Sequence, residues 1–302
     1  MLRKLIIVAG VVGLVALGAA APGMLSGRNL INLFSNLMPL LILTAGQTVV
    51  LIGGGIDLSV TAIMAVASVC GAAVMTGSHS WLPGTFLMLI VGATLGAGNG
   101  LAVTRLGIPP FMVSLAGMML FQGAAVWATH SRNIDRLPTS FTRLGGVIYA
   151  LGAAAVLVGT VHLLLRHSVW GRWLYAVGIN ARTSLVSGVP VQAVVVSSYV
   201  VSGFLAAAAA ILYTARLETG SPVLGQRMFL DVIAAAVIGG ASLFGGRGNI
   251  PGVLAGTVFV CALDNVLNLM GLSFSAILMM KGAVILVATA LDMARSRAWK
   301  AV

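Results

Sequence analysis

The side chains able to carry or move charge are few and scattered. The 302-residue chain has six carboxylates (Asp57, Asp135, Glu218, Asp231, Asp264 and Asp292), four histidines (His79, His130, His162 and His167) and two cysteines, Cys70 and Cys261. No spacing among them fits a metal cluster or a Ser-His-Asp set, and both cysteines fall in apolar runs, where a thiol packs as a small hydrophobe. The Gly-rich stretch Gly245-Gly246-Arg247-Gly248 lacks the Lys and the preceding strand of a phosphate-binding P-loop, so the chain is expected to bind no nucleotide itself. Asp57, Asp231, Asp264 and Asp292 are expected at or near the ends of apolar runs, solvated by headgroups and water. Asp57 and Asp231 are placed to cap helices there. A mid-span carboxylate of the kind ion coupling needs is not expected. The pattern points away from an enzyme and towards transport driven from elsewhere.

The elements that must position these groups are membrane helices. Hydrophobic residues make up 59% of the chain and charged ones 8%, against about 25% charged in a soluble domain. A soluble enzyme, a nucleic-acid binder and a disordered chain are excluded. The expected fold is all-α and polytopic, a single domain over 1–302 with about ten spans near 5–21, 30–52, 58–76, 84–104, 109–129, 144–165, 190–215, 228–244, 250–269 and 275–293. The remaining residues are too few for a separate folded domain. Small-xxx-small spacing at Gly92, Gly96 and Gly100 and at Gly252 and Gly256 predicts close helix packing.

The net charge of +11 follows topology. Basic residues at both tails (Arg3, Lys4, Arg295, Arg297, Lys300) put both termini in the cytoplasm. With ten spans, Arg105, Arg166, Arg172, Arg182 and Arg247 join them inside. Arg28, Arg132, Arg136, Arg143, Arg216 and Arg227 fall outside, against that bias. A rival reading takes the N-terminal run ending Ala19-Ala20-Ala21 as a cleaved signal peptide; cleavage would leave nine spans in conflict with the basic C-terminus.

Three segments have a more specific pattern: Gly53-Gly54-Gly55-Ile56-Asp57-Leu58-Ser59-Val60; Trp170-Gly171-Arg172 with Tyr175 to Asn180 and Ser187-Gly188-Val189; and Leu230-Asp231 through Gly239-Gly240, followed by Ser242 to Gly248. In that order and spacing the chain resembles the permease subunits of ribose-type bacterial ABC sugar importers, from about residue 28 to the C-terminus and including Lys281. Within that motif, Gly55, Asp57, Ser59, Asp231, Gly239, Gly240, Gly245 and Gly246 are the structural positions. Ile179, Ala181-Arg182 and Asp264 depart from the usual family residues.

The resemblance implies a multi-pass permease of the bacterial inner membrane that moves a monosaccharide or related small polyol. It implies three partners: a cytoplasmic ATPase subunit that binds the ATP, a periplasmic sugar-binding protein, and a second permease, identical or paralogous. A nucleic-acid partner and a cofactor of its own are not expected. The alternative class is a stand-alone secondary transporter or facilitator for a small polar solute.

Roles follow for particular residues. Segment 166–189 is basic and without acids. In it Asn180 can cap a short helix over 181–186, which Gly188 and Pro190 would end. By the resemblance this is the coupling loop, with Arg182, Leu185 and Val186 presented to the ATPase. A sugar needs amides and hydroxyls on an apolar wall, so Asn36, Gln47, Thr48, Asn99, Gln122, Asn265 and Asn268 are path candidates. Each competes with a role in bridging helices. Arg132, Arg136 and Arg216 are candidates for docking an acidic face of the binding protein.

Overall fold

The computed structural model describes residues 23–78, 80–283 and 286. The expected span 5–21, the alternative cleavage site, His79, Asp292 and the far half of 275–293 lie outside them. Among the described residues, seven helices are long and apolar enough to cross a membrane. These are α1 (Gly27–Ile52), α2 (Val60–Ser78), α3 (Trp81–Arg105), α4 (Pro110–Ala128), α5 (Val147–His167), α8 (Val191–Leu217) and α10 (Ile250–Leu269). Shorter helices are α6 (Val169–Ile179), α7 (Ala181–Val186), α9 (Phe229–Gly239) and α11 (Phe274–Ala283), with a single helical turn at Thr139–Thr142 between α4 and α5. The protein is an all-helical polytopic membrane protein.

Helix α1 is the centre. It is apolar on every face, which suits a helix with neighbours all round, and it is buried almost continuously from Ser35 to Ile52. Helices α8, α5, α10 and α9 surround it. By contrast α4 and α5 turn Phe111, Met119, Leu120, Trp127, Ile148 and Val156 outward. Large apolar side chains turned outward along whole helices belong against lipid.

The glycine spacing on α3 works as expected. A Cβ added at Gly92 or Gly96 would strike the Gly203 or Tyr199 carbonyl of α8, and one at Gly100 would come within 2.8 Å of Val196 Cα. On α10, Gly252 and Gly256 meet the backbone of α9 at Gly239 and Ala235 in the same way. Backbones at this separation gain dispersion contacts that larger side chains would prevent.

One expected span is corrected. The run 228–244 is apolar throughout, yet α9 ends at Gly239 because Gly240 takes a left-handed conformation (φ 106°). Eleven residues give a helix of about 16 Å, roughly half the hydrocarbon core. The chain leading into it, 220–228, is a bridge residue followed by turns and a short 3-10 helix: Gly220 packs against Ser68 and Ala72 of α2, and Gly225 (φ 82°) against Thr61 and Met64. Segment 220–225 therefore runs along α2 from Ala72 towards Thr61, and the Arg227 guanidinium sits 5.4 Å over the Phe274 ring. Non-helical backbone at this depth is tolerated where protein or a water-filled path covers it. Here Ser221 N–H donates to Ser68 Oγ (3.2 Å), and Gln122 donates its amide to the Pro222 carbonyl.

The carboxylates expected near water are buried instead. Asp57 is 1% exposed and Asp231 7%. The physical reason is partnership. Asp57 accepts from Ser59 N (3.0 Å), Ser59 Oγ (2.6 Å) and Ser202 Oγ (3.1 Å), the first of these in a turn just ahead of α2. Asp231 and Asp264 share the Lys281 ammonium at 2.8 and 2.7 Å, which ties α9, α10 and α11 together.

Candidate functional site

The three sequence segments, far apart in the chain, converge at the end of α1. Its last residue, Ile52, offers a carbonyl that accepts from Gly246 N (2.9 Å). Gly178, at the end of α6, lies against the same carbonyl so closely that an added Cβ would overlap it, and that Cβ would also fall 2.6 Å from Gly246 N. Gly245, at φ 86°, packs in turn on the Gly178 carbonyl and on Gly54. Tyr175 Oη donates to the Gly248 carbonyl at 2.7 Å, and Trp170 Nε1 donates to Ser197 Oγ at 2.7 Å, fixing α6 to the 245–248 loop and to α8.

From this junction α7 projects. Asn180 breaks α6 with extended backbone, and its Oδ1 accepts from Thr183 N at 2.9 Å as the cap of α7. At the other end Gly188 takes φ 81°, with Gly188 N–H bonded to Leu185 O (3.1 Å) and Val189 N–H to Ser184 O (3.0 Å). These paired bonds form the double closure of a Schellman end, which uses glycine because a Cβ is strained there. Ser184 is buried beneath the helix, whereas Leu185 and Val186 are 63% and 86% exposed. Ile179 and Phe244 are each 76% exposed, and Ile179 packs beside Gly246. Arg182 is exposed on the same short helix. The result is an outward apolar face on a lever anchored by backbone contacts to α1.

A second constellation surrounds the Gly55–Ser59 loop. Ser59 Oγ accepts from Asn99 Nδ2 (2.7 Å), and the Ile56 carbonyl accepts from Ser114 Oγ (3.0 Å) and Tyr199 Oη (3.2 Å). Gly55 leaves room for that phenol, since a Cβ there would fall 2.8 Å from its oxygen. The loop is thus pinned to α3, α4 and α8 by side chains; of these partners only Asn99 and Ser59 were singled out by sequence.

The path candidates do not form one group. Asn36, exposed, accepts from Arg216 Nη1 at 2.6 Å, so one donor of Arg216 joins α8 to α1. Asn265 and Asn29 exchange amide hydrogen bonds (2.9 and 3.0 Å) between α10 and α1. Thr48 donates to the Thr44 carbonyl and Asn268 to the Asp264 carbonyl. Gln47 differs: it is fully buried, and both amide atoms lack a hydrogen-bond partner in the structure. It lies one turn from Leu51, which packs with Ala236 and Ala241 at the end of α9. Arg132 and Arg136 stand exposed on a loop held by an antiparallel bridge from Ile134 to Gly220.

Sequence reasoning missed Tyr175 and Gly178 as junction residues, although both sit inside a quoted motif. It also missed Gln226 and Arg227, exposed beside the half-helix α9.

The family model described as "Branched-chain amino acid transport system / permease component" matches residues 29–289. Among curated relatives, the ribose import permease protein RbsC of Bacillus subtilis (strain 168) is 38% identical over 282 residues, covering 91% of this chain and 88% of that protein. The protein of the same name from Escherichia coli (strain K12) is 32% identical over 90% of this chain and 88% of its own length. The fructose import permease protein FrcC of Rhizobium meliloti is 33% identical over 83% and 74% respectively. No solved structure gives a match. A model spanning most of the chain, relatives matched over nearly their whole length, and three motif segments meeting at one junction together place this chain in the family of ABC-importer permease components.

Proposed function

We propose that this permease moves a monosaccharide or related small polyol into the cytoplasm of a bacterium, across the inner membrane. Delivery is by a periplasmic binding protein and the driving force is ATP hydrolysis on a separate subunit, with a second permease completing the pathway. The chain crosses ten times with both termini inside, α9 and the turn-rich segment before it serving as one crossing. The observation that carries the reading is α7: a capped, exposed apolar helix next to Ile179 and Phe244, suited to a groove on a cytoplasmic ATPase. On the opposite side Arg132 and Arg136 offer charge to the binding protein.

The test is reconstitution with the cognate ATPase and binding protein. Leu185→Asp is expected to leave the permease inserted and to lower both sugar-stimulated hydrolysis and uptake by at least about tenfold, because a charge is then desolvated in an apolar contact. Arg132→Glu with Arg136→Glu should weaken stimulation by loaded binding protein, and the defect should shrink as salt rises. Uptake that needs no ATP would overturn the proposal in favour of a stand-alone transporter.

The path is proposed to run beside the half-helix, where discontinuous helices of transporters place polar groups near mid-bilayer. Gln47, Gln226 and Arg227 are its residues. An unsatisfied buried amide costs about 1–3 kcal/mol, so replacing it with a similar apolar shape is neutral or stabilising unless the amide has another use. Gln47→Leu should therefore keep or raise the melting midpoint while uptake falls about tenfold. Unchanged uptake would remove Gln47 from the path.

A further inference from the structure

Where α5 closes and α10 begins, the molecule holds a cavity of about 360 Å³. That is within the range of small-ligand pockets. Its walls are His162 and Arg166 from α5, Tyr175 from α6, and Asn249, Ile250 and Pro251 from the start of α10. His162 and Arg166 are one helical turn apart and share a face. No carboxylate lines the cavity, and among the described residues Arg166 makes no ion pair.

Helix α10 adds a source of positive potential beside the Arg166 guanidinium. Its twenty residues start at Ile250, whose N–H has no acceptor within the helix. Gly252 N–H is satisfied by Asn249 Oδ1 at 2.8 Å, which leaves the Asn249 amide nitrogen free to donate elsewhere. The cavity therefore joins a guanidinium, an imidazole, a side-chain amide and a helix N-terminus from two separate elements, all suited to an anion with several oxygens.

The apolar surroundings narrow the source of that anion. Leu165, Ile250 and Pro251 complete the lining. One turn further along α10, Leu254 is 46% exposed, and Leu163 on α5 is 59% exposed. A half-open pocket with an exposed basic and amide-bearing rim on a mostly apolar wall, and with Leu254 exposed one turn further along α10, has the layout of a phospholipid: headgroup at the rim, acyl chain along α10. Basic pockets between spans are a recognised form of lipid-headgroup site.

We infer that this cavity binds a phosphate group, supplied by an anionic phospholipid of the surrounding leaflet. Assigning that leaflet to the cytoplasmic side rests on the orientation proposed above; the phosphate site itself does not. Because Tyr175 forms one wall and also holds Gly248, a bound phosphate braces α5, α6 and α10 around the junction from which α7 projects.

The experiment uses the purified full-length chain in nanodiscs of phosphatidylcholine, with and without a minority of phosphatidylglycerol. Retained lipid is read by native mass spectrometry and the melting midpoint is followed. Phosphatidylglycerol is expected to be retained selectively and to raise the midpoint. Arg166→Gln together with His162→Gln should reduce retention by about tenfold, the scale of one lost charge-assisted contact. Arg166→Lys should retain most of the binding, and Arg172→Gln, on α6 outside the cavity, should match the parent chain. If inorganic phosphate added to pure phosphatidylcholine discs raises the midpoint in an Arg166-dependent way, the site stands with a soluble phosphate as its source. If the Arg166 and His162 substitutions change neither response, or Arg172→Gln loses as much lipid, the proposal is overturned.

Discussion

Replacing Lys281 with Met is expected to destabilise the α9–α10–α11 end by about 3–5 kcal/mol, the cost of removing one partner from a buried ion pair. Lys281 is 8% exposed and is the common partner of Asp231 and Asp264. Without its ammonium, the buried Asp231 carboxylate is left without a counter-charge beside the partly exposed Asp264, and the two repel each other. The expected readout is a lower melting midpoint in nanodiscs and faster proteolysis of the C-terminal helices. Uncharged replacement of the whole set, Lys281→Met with Asp231→Asn and Asp264→Asn, should recover most of the loss. Removing every charge removes the desolvation cost together with the attraction. A single-site loss under about 1 kcal/mol would mean that the triad is hydrated and behaves like a surface pair.

Gly178→Ala is the second substitution with a large expected effect, and it separates coupling from folding. The added methyl would overlap the Ile52 carbonyl and press on Gly246 N, both of them backbone, so no rotamer change relieves the contact. The junction must open, which parts α6 from the end of α1 and from the 245–248 loop. Because this lies at one end of the bundle, membrane insertion and yield should stay near those of the parent chain. Sugar-stimulated ATP hydrolysis and uptake should both fall by more than about tenfold, equivalent to roughly 1.4 kcal/mol in the barrier. Gly188→Ala is the useful contrast. Open space surrounds Gly188, and only its φ of 81° penalises a side chain. That strain is worth about 1–2 kcal/mol within a short exposed helix end, and it should weaken coupling far less. Equal defects from the two substitutions would show that α7, not the junction, transmits the stroke.

The half-helix shows where residue order stops being informative. Residues 228–244 have the apolarity of a span, and hydropathy scores apolar side chains without registering φ. Gly240 is compatible with helix or with a left-handed end. The choice is made by α10, whose Gly252 and Gly256 press on Gly239 and Ala235. The non-helical approach at 220–225 is equally silent in sequence, because its stability depends on Ser68 and Gln122 meeting its backbone groups from distant helices.

The buried carboxylates make the same point in energetic terms. Asp57 and Asp231 read as span-end groups because burial of a charge is expensive unless it is partnered. Ser59 supplies two bonds to Asp57 locally, but the third comes from Ser202, 145 positions away, and the Lys281 that neutralises Asp231 lies on another helix.

What the sequence determined by itself is whatever depends on local pattern. Apolar run length set the membrane class. The capping chemistry of Asn180 and Gly188 defined α7, and small-residue spacing defined the close α3 packing. Motif register placed the chain in its family. Only the tertiary structure decided which polar groups are satisfied and which are left over. Asn99, Asn265 and Asn36 are consumed in bonds between elements, whereas Gln47 is buried with none. The physical reason is that a hydrogen bond joins two groups, and a local pattern supplies only one of them.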